Sequence, residues 1–136
     1  MPSYLILICL AYQCYASYPD GTFSGQVANP YLRVLCEFRQ LPTPYVVIHV
    51  SCNTVMPPAI TALPIHEVAG TCGQQLSVNA TAATIAVMAS MTNYLNSMCP
   101  GRGYNAGDFI LYDEATQDMV YDVHVDVFTI RLSRVN

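Results

Sequence analysis

Asp122, His124 and Asp126 stand at alternate positions in the segment YDVHVDV. Carboxylates and imidazoles ligate metals and move protons, so this spacing could serve either chemistry. On a strand the three side chains share one face, with neighbours about 6.7 Å apart. Two of them can share an ion, whereas three in a line need a bulge. A solvent-facing strand alternates in the same way, and that is the reading adopted here: no metal and no other cofactor is expected. His66 and Glu67 form an acid/base pair by type, but neighbours in an extended chain point to opposite faces. His49 lies within the apolar run YVVIHVSCNTV and reads as a core histidine. HExxH, Gly-x-Ser-x-Gly and phosphate-cradling glycine motifs do not occur in the sequence.

Six cysteines punctuate the chain. Residues 1–16, MPSYLILICLAYQCYA, hold a compact apolar run at Leu5–Ala11, with Cys14, Tyr15 and Ala16 before a suitable cleavage point at Ser17. This pattern predicts a secretory signal, although its first residues contain no Lys or Arg. Its removal would take Cys9 and Cys14 with it. Cys36, Cys52, Cys72 and Cys99 would remain, and an even number in a short exported chain predicts two disulfides. Three connectivities exist; Cys36–Cys52 with Cys72–Cys99 is the one preferred. Their spacing does not suit zinc. Asn79-Ala80-Thr81 is a glycosylation sequon that an exported chain could use.

The element expected to organise the fold is a helix over Asn79–Cys99, capped by Asn79 and ended by Pro100-Gly101. Leu95, Met88, Cys99, Thr92 and Ile85 fall on one stripe, with Tyr94, Val87, Met98 and Met91 beside it. No charged residue occurs between Glu67 and Arg102, so this helix is expected to lie across a sheet. Its Ala, Thr, Ser and Asn content argues against a membrane span. Strands are expected at Tyr31–Arg39, Tyr45–Val55, Ile65–Cys72, Asp108–Tyr112 and Met119–Arg131. Tyr18–Pro30 reads as an irregular lead-in and Ala59–Pro64 as a connection. In the last strand the apolar phase flips near Val127, which suggests a bulge there or burial on both faces. The hairpins Tyr31–Val50 and Asp108–Val125 echo each other faintly. Together these predict one disulfide-stabilised domain over 17–136. Its fold would be an α+β two-layer sandwich in the order β-β-(β)-α-β-β, with an antiparallel sheet of 4–5 strands and the helix on one face.

Hydrophobic residues make up 53% of the 136 residues and charged ones 10%, with a net charge of −4. That balance excludes a broad phosphate-binding surface, so nucleic acid is not the expected partner. Lysine is absent, which fits either compositional bias or a protein that avoids ubiquitin acceptors inside a foreign cell.

Two resemblances follow from local motifs. Gly70-Thr71-Cys72, the helix end Leu95-Asn-Ser-Met-Cys99 and the later Gly101 and Gly103 before a hairpin resemble small secreted fungal proteins of the killer-toxin and plant-effector kind. The ordered set His66-Glu67, Pro100-Gly101-Arg102, Glu114-Ala-Thr-Gln117 and His124 resembles small secreted microbial ribonucleases. That second resemblance would make Glu67 the base, His124 the acid and Arg102 the phosphate clamp. It departs from the family in placing a long helix between the Glu and the Arg, and Phe109 where an arginine is expected. The function expected overall is a secreted, non-enzymatic binding protein, effector- or toxin-like, acting on a protein or cell-surface target. A ribonuclease-like enzyme and an extracellular structural or ligand-binding module are the alternatives.

Overall fold

The computed structural model describes residues 18–71, 74–116, 120–125 and 128–135. Eight strands follow one another as antiparallel neighbours: β1 (Gly21–Ala28), β2 (Tyr31–Arg39), β3 (Tyr45–Ser51), β4 (Ala59–Glu67), β5 (Gln75–Val78), β6 (Leu111–Thr116), β7 (Val120–Val125) and β8 (Phe128–Arg134). Among the described residues one helix, α1 (Ala82–Met98), interrupts the meander between β5 and β6. The sheet curls until β1 meets β8 at Phe23↔Arg134 and Ser24↔Ser133, which closes a barrel. The expected two-layer sandwich of 4–5 strands is therefore replaced by a curled eight-stranded sheet with a helix of 17 residues.

The period-2 pattern explains the curl. Leu32, Val34, Cys36 and Phe38 of β2 are buried, as are Val46, Ile48 and Val50 of β3. Phe23, Leu63, Ile65, Leu76, Val78, Tyr112, Val123, Val125, Ile130 and Leu132 come from the other strands and complete one interior. Eight strands leave an interior that side chains can fill, and here aromatic rings take the centre. Phe38 meets Phe23 and Tyr112 edge-on, with centroids 5.6 and 5.7 Å apart. At the seam, a Cβ on Gly25 would overlap the Arg131 carbonyl, so β8 crosses β1 closely only because that residue is glycine.

Outside β2 and β3 the strands differ from expectation. β1 lies within the stretch read as a lead-in. β4 joins the stretch read as a connection, Pro64 included, to the start of the strand expected at Ile65–Cys72, which ends at Glu67. β5 forms where no strand was expected, and β6 begins at Leu111 rather than Asp108. The long last strand is two strands, with Val125 opposite Phe128. The phase flip thus marks a chain reversal rather than a bulge. The two echoed hairpins both form, as β2–β3 and β6–β7.

The helix starts two residues later than expected. Thr81 rather than Asn79 caps it, its hydroxyl accepting the Thr84 amide at 3.2 Å. Thr84, Met88, Met91, Thr92 and Leu95 form its buried face, and the Thr92 hydroxyl donates back to the Met88 carbonyl at 3.0 Å. Its end is tied to the barrel by a disulfide between Cys52, just after β3, and Cys99, with Cα atoms 6.3 Å apart. This corrects the preferred pairing: Cys36 is a buried free thiol inside the barrel. Cys72 and the signal-like residues 1–16 lie outside the described residues. No helix among the described residues is long and apolar enough to cross a membrane.

Candidate functional site

The strand registers define two poles. At the helix pole lie Tyr31, Ser51, Ala59 and the end of β7; at the other lie Arg39, Tyr45 and Glu67. Tyr18 belongs to the second pole, where its hydroxyl accepts the Glu67 amide at 3.2 Å and its carbonyl accepts Gln40 Nε2 at 2.8 Å.

Of the residues singled out for chemistry, Glu67 and Arg102 are not brought together. Glu67 ends β4 at the second pole. Arg102 follows α1 at the helix pole, where Nη1 donates to the Tyr31 carbonyl and reaches the Tyr104 hydroxyl at 3.4 Å. His124 stands opposite Thr129 and Asp122 opposite Arg131 in the β7–β8 register. The side chains of Asp122 and His124, and Asp126 altogether, lie outside the described residues. Among the described residues no cluster of three or more metal-ligating side chains occurs. His66 shares a short hydrogen bond of 2.5 Å between its Nδ1 and the Asn79 Oδ1, so the sequon asparagine is engaged by the barrel. His49 is not a core residue. It sits on the outer face of β3, with Nε2 3.6 Å from the Glu37 carboxylate and without a hydrogen-bond partner.

Two clefts open at the helix pole. The first, about 400 Å³, is lined by Pro30, Leu32, Pro100, Arg102, Tyr104 and Asp108, among others. Asp108 is buried, and its carboxylate accepts the Asn105 amide at 3.0 Å. The neighbouring loop is held by Asn96, whose side chain donates to the Tyr104 carbonyl and accepts the Tyr104 amide, both at 2.8 Å. The polar groups here are thus engaged in holding the loop.

The second cleft is a groove of about 460 Å³ between β4 and α1. Pro58, Ala59, Ile60 and Thr61 form one wall and Val87, Ser90, Met91 and Tyr94 the other. None of these eight is charged. Tyr94 donates its hydroxyl to the Pro57 carbonyl at 3.0 Å, fixing one end of the groove. Beside it, Val55 is 86% exposed, Ile60 59% and Met56 47%, while Val87 and Tyr94 also reach solvent. Helical periodicity put Val87 and Tyr94 on an apolar stripe; what it could not show is that the stripe is left uncovered. Ile60 was missed because its stretch did not read as a strand.

No protein-family model, curated protein or solved structure matches the chain.

Proposed function

We propose that the protein is a small exported binding protein that holds a partner protein in the groove between β4 and α1, in an effector- or toxin-like role toward another cell. The observation that carries this reading is the groove itself. It is uncharged and flanked by large apolar side chains left in solvent, including Val55, Met56 and Ile60. Such patches mark interaction surfaces. Export is supported by the Cys52–Cys99 disulfide, since structural disulfides persist in oxidising compartments, and by the signal-like start of the sequence.

The test is binding of labelled protein to target cells, comparing the natural sequence with Val87→Asp. Val87 is a partly exposed groove residue, so the substitution leaves the fold intact. Binding is expected to weaken at least about tenfold, or roughly 1.4 kcal/mol. Undiminished binding by a folded Val87→Asp variant would remove the groove from the function.

A further inference from the structure

We infer that the cleft at the helix pole, between the start of β2, the end of β7 and the loop after α1, binds a small apolar molecule carrying one carboxylate, which Arg102 receives. This site is separate from the groove between β4 and α1 and does not rest on the binding reading above.

The cleft lies in the mouth of the barrel. Leu32, near the start of β2, and Val125, at the end of β7, are each 1% exposed and give it an apolar floor. Pro30, Pro100 and Tyr104 stand around that floor. The volume of about 400 Å³ falls among small-ligand pockets, roughly 300–1,000 Å³, and barrel mouths are one place where such pockets occur. Walls of this kind suit the hydrocarbon body of a ligand, so its polar end must be received elsewhere.

Arg102 is the basic residue of the lining. It stands between Gly101 and Gly103, whose φ angles are 89° and 68°. Glycine adopts this left-handed region freely, and the two residues make the turn that brings the guanidinium to the Tyr31 carbonyl. The bonds that hold this loop use only part of the guanidinium. Nη1 donates to the Tyr31 carbonyl and reaches the Tyr104 hydroxyl. No group among the described residues accepts from Nε or Nη2, and no carboxylate among them lies within ion-pair distance.

A half-buried guanidinium without a counter-ion has lost hydration that an incoming anion would offset. Its planar fork matches both oxygens of a carboxylate, and the bond from Nη1 fixes that fork in place before a ligand arrives. Asp108 decides the charge of the ligand. It is 2% exposed, and its carboxylate accepts the Asn105 amide within the loop. Arg102 beside this acid balances a single negative charge. A doubly charged phosphate would meet Asp108 with no second cation in the lining to answer it.

The probes are octanoate, phenylbutyrate and naphthoate, each paired with its neutral amide, and inorganic phosphate. They are titrated into the disulfide-bonded protein and followed by NMR. At least one acid is expected to bind about tenfold or more tightly than its amide, the difference a charge-assisted hydrogen bond makes. It should shift the Arg102 Nε–H resonance and move the amides of Leu32, Tyr104 and Val125, while those of Ile60 and Val87 stay in place. Arg102→Gln should make acid and amide bind alike. The comparison of acid with amide uses the unaltered protein, so it stands even if Arg102→Gln fails to fold. Equal binding of every acid and its amide, or no acid bound at millimolar concentration, would overturn the inference. So would inorganic phosphate binding more tightly than any acid, shifts confined to the groove, or a folded Arg102→Gln variant that keeps the preference for the acid.

Discussion

Cys36 shows how a single residue can be moved out of chemistry by its surroundings. It lies inside the barrel against the hydroxyl of Tyr112, which in turn donates to the Phe109 carbonyl at 2.9 Å. Burial pushes the thiol well above its ordinary value of 9.0, and the hydrogen bond with Tyr112 only partly opposes this. Burial likewise pushes the Tyr112 phenol up. A neutral thiol is a poor nucleophile, so Cys36 belongs to packing. The shift has a defined sign. The folded state holds the proton more tightly than the unfolded chain, so this stabilisation is whole below about pH 9 and is lost as pH rises from there toward the folded-state value. Urea unfolding between pH 7 and 10 is expected to show wild type losing up to about 1.4 kcal/mol per pH unit above 9. Cys36→Ala should show a shallower loss over the same range. Phe109 is also set by its context. It has φ 64°, a region costing a non-glycine residue about 1–2 kcal/mol, and it is held there with its ring fully buried and its carbonyl bonded.

At the scale of elements, α1 depends on its two ends. It has no acidic residue in its first turn and no basic residue in its last, so a threonine cap and a disulfide carry the anchoring. The Cys52–Cys99 bond joins positions 47 apart in sequence. Loop-closure entropy for that separation amounts to about 4 kcal/mol. Cys52→Ser is expected to lower unfolding stability by up to that amount in urea titration, and reduction of the wild-type disulfide should reproduce the loss.

What the sequence disclosed follows from the same elements. β2 and β3 were legible because Leu32 to Phe38 and Val46 to Val50 alternate cleanly. The helix was legible from its period, though its start was not, because Asn79 and Thr81 are both good caps. β1 was hidden by glycine and serine. β4 was hidden by Pro57, Pro58 and Pro64, since a proline within a run ordinarily argues against a strand. β7 and β8 read as one strand because Asp126-Val127 between them lacks the glycine or asparagine that announces a hairpin. The groove needed β4 to be recognised first, so it was not legible from the chain alone.

The whole molecule is closed at one seam, where β1 and β8 pair at Phe23↔Arg134 and Ser24↔Ser133, the Val135 amide bonds the Thr22 carbonyl, and Gly25 admits the backbone of Arg131. Arg134 adds a cation–π contact with Phe23, 5.0 Å from the ring centre. Gly25→Val is expected to force the two strands apart, at a cost of about 1–3 kcal/mol from overpacking. Hydrogen exchange should then show β1 and β8 losing protection while the β2–β3 hairpin keeps it.

That seam also sets where the molecule can be handled. Tyr18 sits beside Glu67, and the Val135 amide bonds the Thr22 carbonyl at 2.8 Å. Tyr18 and Val135 thus both lie at the second pole, about a strand's length from the groove. A tether, label or fused domain joined at either point would hang on the far side of the barrel. The apolar cleft would remain turned outward, free to meet whatever is offered to it.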